Sequence, residues 1–263
     1  MTIVRQIECK IASSASGLPG LDRAINPYRG CSHACAYCYA QDVTRFEMSR
    51  PWGEVIEVKK NIVSRLRFEL AKQAKGVYGL GTVTDPYQPL EKEYCLARGC
   101  LELLKRHEAS ISILSKSDLV LRDLDLLSGW DGAEVGVSIG TVDSDLAAWL
   151  EPGAPSPCKR FEALRTLSSA GICTYLMAAP IIPGISDSED SLQELVARAH
   201  ESHVRMIMWD KYNPKPVASS RLRRALDAHG FELKPFSMEQ LNHTRSVLAR
   251  ECRRHGIELD DAF

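Results

Sequence analysis

Asn26-Pro27-Tyr28-Arg29-Gly30-Cys31-Ser32-His33-Ala34-Cys35-Ala36-Tyr37-Cys38-Tyr39-Ala40 places three cysteines at a C-x-x-x-C-x-x-C spacing in a glycine-bearing, loop-like segment. Thiolates are good ligands for iron and zinc. Three held this close can occupy three corners of a cubane 4Fe–4S cluster. The usual cluster takes four protein thiolates, so three leave one iron open, as the open position does at a catalytic zinc. Two plainer readings stand beside this one. A C-x-x-C pair can be a redox dithiol or half of a zinc site. Zinc would draw on His33 as a further ligand, and the rival class is then a non-catalytic, metal-stabilised nucleic-acid-binding protein.

Around this segment the chain is ordinary. Its 263 residues allow one large α/β domain or two small ones. With 44% apolar and 25% charged residues it can bury a substantial core. A net charge of −1 singles out no partner. No apolar run approaches a membrane span, and Met1 to Cys9 lacks the apolar core of a signal peptide. Nine cysteines, an odd number in a chain this long, fit reduced cytoplasmic thiols better than a disulfide scaffold. Outside the triplet they are scattered and read as small buried apolar residues.

Residues 1–21 read as an irregular leader, 22–215 as the main α/β unit, and 216–263 as a C-terminal helical extension packed on it. Gln41 to Glu54 is polar and is expected to cover the site. Beyond it strands and helices alternate. Val58–Lys75 carries Ile62, Val63, Leu66, Leu70 and Ala74 at helical spacing. The pattern predicts strands at 77–82, 110–115, 133–139, 172–179 and 204–209. It predicts helices at 94–107, 119–127, 157–170, 189–203, 219–229 and 238–255. Pro157 and Gly171 bracket one helix, and Ser237 with Gln240 form a capping box for the last. Such alternation argues for βα units with a mainly parallel sheet of about six strands. Active sites then lie at the strands' C-terminal ends.

The cysteine stretch resembles the signature of the radical S-adenosylmethionine (SAM) superfamily. Gly81-Thr82-Val83-Thr84-Asp85-Pro86-Tyr87-Gln88-Pro89-Leu90-Glu91, the block Leu119 to Leu127 and the block Leu150 to Pro157 look like its spore photoproduct lyase-like branch. The resemblance spans roughly residues 26–184. It implies a partial (β/α)6 barrel with C-terminal helices, a 4Fe–4S cluster on Cys31, Cys35 and Cys38, and SAM chelating the open iron. In that family one electron cleaves SAM to methionine and a 5′-deoxyadenosyl radical, which abstracts hydrogen from substrate. A flavodoxin- or ferredoxin-type reductant is the implied partner, and the substrate stays open between nucleic acid and a peptide or small metabolite.

The same resemblance implies roles for single residues. Thr84 and Asp85 are candidates for the SAM amino group; the plainer reading is a rigid turn with a capping Asp. Lys116, at a strand end, is a candidate for the SAM carboxylate, against a solvated loop lysine. Ser138 is a candidate for the ribose or carboxylate, against a satisfied core serine. Ile182 falls in the segment that packs on adenine, against plain strand core. Tyr37 and Tyr39 flank the third cysteine and match positions that relay the radical in the lyase; Tyr37 is placed at the adenine end. The chain departs from the lyase where a cysteine donates hydrogen near the second strand, since residues 81–84 hold none.

Residues 204–256 carry eleven Lys or Arg against five Asp or Glu. Arg221, Arg223, Arg224, Arg250, Arg253 and Arg254 could form a phosphate-binding face, but no aromatic platform accompanies them. A solvated helical surface is the favoured reading.

Overall fold

The computed structural model describes residues 2–72, 75–235 and 237–262. The chain opens with β1 (Ile3–Ile7), β2 (Ser13–Ala15), β3 (Arg23–Ile25) and β4 (Tyr28–Arg29). The cysteine loop follows, then α1 (Ala40–Thr44), β5 (Val55–Lys59), α2 (Ile62–Leu70) and β6 (Val77–Leu80). Next come α3 (Glu91–Tyr94), α4 (Leu96–Arg106), β7 (Ser110–Ser115), a 3-10 turn (Asp118–Asp123), α5 (Leu124–Leu127) and β8 (Ala133–Ser138). The remainder is α6 (Ser144–Leu150), α7 (Pro157–Ser169), β9 (Cys173–Ile181), α8 (Glu189–Glu201), β10 (Met206–Lys211), α9 (Pro216–Asp227), α10 (Met238–His255) and β11 (Glu258–Asp261).

Among the described residues the main sheet runs in the order β11-β10-β9-β8-β7-β6-β3-β2. The strands from β3 through β10 pair in parallel, as the alternation of elements predicts. Parallel β11 extends one edge and antiparallel β2 the other. With both edges unjoined the barrel stays open. Strand residues alternate between two environments, as a period of two demands. Ile111, Ile113, Val135, Val137, Leu176 and Ile207 face the helices and form one core with them. α4 contributes Ala97, Cys100, Leu101 and Leu104, one helical stripe. Each fully buried Leu or Ile there stabilises by roughly 1.5–3 kcal/mol. The opposite, inner face is lined by Leu114, Tyr175, Met177, Ala179, Met206 and Met208. A Cβ on Gly136 would come within 2.2 Å of the Tyr175 ring, so only glycine lets that ring lie across β8.

Several boundaries differ from the expectation. The leader is not irregular: β1 lies parallel to β5, and β2 pairs with β3. Val58 belongs to β5, so the predicted helix begins at Ile62; Ala74 lies outside the described residues. Cys95, at φ 50, breaks the helix expected over 94–107 into α3 and α4. α6 and β11 were not expected. The capping box of Ser237 and Gln240 is present on α10.

Candidate active site

The cysteine loop leaves the C-terminal end of the β3 region and is closed by two turns. Ala34 N donates to Cys31 O (3.1 Å) and Cys38 N donates to Cys35 O (3.2 Å). Gly30 sits at φ +81, where a Cβ would be 2.3 Å from Val55 O. Cys31 and Cys35 are buried and Cys38 is half-buried. Burial pushes all three thiols up, Cys35 to about 12 despite the opposing charge of Lys116. Empty, the site therefore holds thiols, and a metal must displace their protons to bind.

Three sets of contacts hold this loop from outside. The first is the turn after β6. Thr84 Oγ1 donates to Gly30 O (2.6 Å). Gln88 Oε1 accepts from Ser32 N (3.0 Å) and Ser32 Oγ (3.2 Å). Asp85 accepts from Tyr87 N (2.9 Å), Ser115 Oγ (2.7 Å) and Lys116 N (2.8 Å), and Oδ2 lies 3.2 Å from His33 Nδ1. Burial alone would raise Asp85; His33 and these hydrogen bonds override it and hold the carboxyl at about 2. Behind this turn Glu91 accepts from Tyr28 OH (2.5 Å) and from Ala97 N and Arg98 N at the start of α4. Arg122 joins Glu91 (2.9 Å) to Asp123 (2.8 Å), and Tyr87 OH donates to Asp123 (3.0 Å).

The second set comes from the end of α6. Ala36 N donates to Leu150 O (2.7 Å) and Gly153 N to His33 O (3.0 Å). A Cβ on Gly153 would meet Ser32 O at 2.1 Å, so the two backbones touch. Glu151 accepts from Tyr37 OH and pairs with Arg160, which is 1% exposed. Arg160 also donates to Pro155 O (2.7 Å) and Ser138 O (3.1 Å). Burial works against the Glu151 charge, but Arg160 and Lys116 hold its carboxyl below the ordinary range.

The third set is α9. Arg221 donates to Ala36 O (2.9 Å), Gln41 Oε1 (2.8 Å) and Cys38 O (2.6 Å). In return Asp42 accepts from Val217 N (2.9 Å) and Ala218 N (3.0 Å), capping the helix. Arg221 thus leaves the basic face proposed from the sequence. Arg250 pairs with Glu189 and Glu251, and Arg254 with Glu251. These partners lie far apart in sequence or were hidden by helix phase, so the run looked unbalanced when read linearly.

The other expected site residues cluster around the loop. Lys116 Nζ stands 5.6 Å from the centre of the Tyr37 ring and, among the described residues, meets no carboxylate within ion-pair distance. Ser138 is buried at the end of β8, and its hydroxyl makes no hydrogen bond among the described residues. Ile182 packs with Ala36, Tyr212 and Tyr37 in a small apolar cluster beneath the loop. Tyr39 is half-exposed, with its hydroxyl donating to Thr82 O (2.7 Å). The side chains of Thr84 and Asp85 are fully engaged in bracing the loop. Sequence reasoning missed Gln88, Glu151, Arg160 and Arg221 as loop supports. The conspicuous signal was polar residues inside the two blocks flanking apolar strands.

The donor set fits an iron–sulfur cluster. Three soft thiolates from one short loop are the donors such a cluster takes, with one iron left open. His33, which the zinc reading would enlist, turns Nδ1 to Asp85. Among the described residues two buried side-chain nitrogens make no aligned hydrogen bond: His33 Nδ1, which nonetheless lies 3.2 Å from the Asp85 carboxylate, and Trp52 Nε1. One is on the cysteine loop and the other packs against it.

The family model for the radical SAM superfamily matches residues 25–196. An uncharacterized protein of Methanocaldococcus jannaschii is 38% identical over 184 residues, covering 70% of each chain. The radical SAM Nα-GlyT isomerase of Pseudomonas phage M6 is 29% identical over 182 residues, which are 68% of this chain and 37% of that one. Spore photoproduct lyase complexed with dinucleoside spore photoproduct superposes with a TM-score of 0.73 at 15% identity, covering 99% of this chain and 82% of the lyase. The chain belongs to the radical SAM superfamily, whose members use a 4Fe–4S cluster and SAM.

Proposed function

We propose that the chain is a radical-generating enzyme whose substrate enters the open inner face of the sheet. The observation that carries this is the three-thiol loop with the Lys116 ammonium beside it, in ion-pair contact with no carboxylate among the described residues. Cys31, Cys35 and Cys38 would hold the cluster, which, once reduced by its electron donor, would supply the electron for cleavage of bound SAM to methionine and a 5′-deoxyadenosyl radical. Lys116 holds the SAM carboxylate as a point charge. Ser138, its hydroxyl unspent, serves the ribose, and Ile182 with Tyr37 gives the adenine an apolar seat. Thr84 and Asp85 act by fixing the loop; an ammonium there meets backbone carbonyls. Tyr39, exposed on the loop with its hydroxyl on Thr82 O, is the candidate for radical relay. A flavodoxin- or ferredoxin-type protein is the electron donor in this reading.

For the substrate we favour a nucleobase in nucleic acid. Leu114, Tyr175, Met177, Met206 and Met208 give a soft, apolar wall suited to a flat ring. Lys211 and Lys215 stand at the end of β10, where a backbone phosphate would pass. The isomerase and lyase above, one named for Nα-GlyT and the other holding a dinucleoside photoproduct, support the same class.

The test is anaerobic reconstitution with iron and sulfide, then SAM and dithionite, with 5′-deoxyadenosine as the readout and Cys35→Ala as control. A loaded cluster without cleavage, even with oligonucleotides present, counts against the reading. Lys116→Ala is expected to weaken SAM binding at least tenfold by equilibrium dialysis; unchanged affinity removes that assignment. Oligonucleotide binding is expected to fall steeply with salt, and a flat response rejects the nucleic-acid substrate.

A further inference from the structure

Trp52 is 6% exposed and its indole N–H has no hydrogen-bond partner among the described residues. An unsatisfied buried donor is costly, and such a group calls for an explanation, an ion or cofactor among them. Buried Trp209 and half-buried Trp130 are treated differently. Trp130 Nε1 donates to Ala109 O (3.2 Å) and Trp209 Nε1 to Asp261 Oδ1 (2.6 Å).

The surroundings of Trp52 narrow the partner. It lies in one apolar cluster with Cys31, Ala40, Phe46 and Val55, against which Cys38 also packs. Its neighbour Gly53, at φ +90, presses on the cysteine turn so closely that a Cβ would be 2.6 Å from Ala34 Cβ and 3.1 Å from Cys31 O. The segment is strapped in place. Gln41 Nε2 donates to Glu47 O and Arg50 O (both 3.1 Å), Arg5 pairs with Glu47 (2.6 Å), and Arg50 pairs with Glu54 (2.7 Å). A side chain held this way cannot swing out to water. Two of the three ligand cysteines share its apolar enclosure, and the acceptors that loading brings there are thiolate and sulfide sulfurs.

We propose that the Trp52 indole N–H donates a hydrogen bond to a sulfur of the loaded cluster site and raises the potential at which the cluster accepts its electron. A donor aimed at sulfur stabilises the more negative, reduced state, and hydrogen bonds to sulfur are among the determinants of cluster potential. Trp52 is therefore a positioning and tuning residue; it touches neither SAM nor substrate. His33, the other orphan, does not share this role because its Nδ1 faces the Asp85 carboxylate.

The inference rests on the cluster assignment above, and its test separates the two. In wild-type protein, ultraviolet resonance Raman spectra before and after anaerobic reconstitution read the indole N–H bonding state directly. One indole is expected to gain a hydrogen bond on loading, in step with iron and sulfide uptake. Full uptake with all indole signals unchanged overturns the role of Trp52 alone. No uptake overturns the cluster assignment together with it. In a second measurement, Trp52→Phe is expected to bind as much iron and sulfide as wild type, with its midpoint potential shifted to more negative values in an EPR-monitored titration. Trp52→His, which keeps a ring N–H, is expected to recover part of the shift. An unchanged midpoint in a fully loaded Trp52→Phe protein overturns the proposal, and if that variant does not load, the wild-type Raman result decides.

Discussion

The cysteine loop and helix α10 are both rich in charge, but they use it in opposite ways. Around the loop, Asp85, Glu91, Asp123, Glu151 and Arg160 are buried, and each meets several partners drawn from separate parts of the chain. On α10 the arginines stay in solvent: Arg250 and Arg254 share Glu251, whose carboxylate is buried under them, and Arg245 pairs with the exposed Asp261. Buried pairs fix geometry because breaking one strands a charge. Exposed pairs fix little. A loop of turns with no regular ladder of its own gains from the first kind, since three thiolates must be presented with defined spacing. A long amphipathic helix is already held by its apolar face.

The largest effect is expected where that contrast is sharpest. Glu151→Ala leaves the Arg160 guanidinium buried without its carboxylate and is expected to lower stability by about 3–5 kcal/mol in urea unfolding. The double replacement Glu151→Leu with Arg160→Met is expected to recover much of that loss; if it does not, the pair does more than neutralise itself. A middle effect comes from Asp85. Its carboxyl is held at about 2 against an ordinary 3.8, so the folded state prefers it charged. That contribution is present above about pH 4 and lost as pH falls towards 2, and is worth roughly 2 kcal/mol. Asp85→Asn is expected to flatten the stability of the apo-protein over this window. The smallest effect is expected on α10, where Arg250→Ala should leave the thermal midpoint unchanged within error. A clear drop there would erase the distinction between the two regions.

Much of the architecture was legible because it repeats. Alternating strands and helices announced the parallel sheet, and Ser237 with Gln240 marked the start of α10 one turn at a time. Of the strands that escaped notice, β5 is buried but its Val58 was read into the helix that follows, and the others are short or outward-facing. β1 has mostly exposed residues and β2 only three, so neither shows a two-residue rhythm strong enough to read. The site was legible where chemistry is carried by spacing, as in the three cysteines. It was illegible where chemistry is carried by proximity. Thr84 reaching Gly30 O, or Arg221 reaching Cys38 O across more than a hundred and eighty residues, leaves no local pattern. The resemblance pointed at Thr84 and Asp85, but the hydrogen bonds these side chains make to Gly30 O, Ser115 and Lys116 N could not be read from it.

The reciprocal hold between α1 and α9 also sets an order of events during synthesis. Asp42 and the three cysteines leave the ribosome long before Val217 and Arg221 exist. Domains fold as their segments emerge, N-terminal parts first, so a nascent chain displays its thiols while the last anchor of their loop is still unmade. Iron and sulfide arriving at that stage meet a loop that still lacks its α9 anchors.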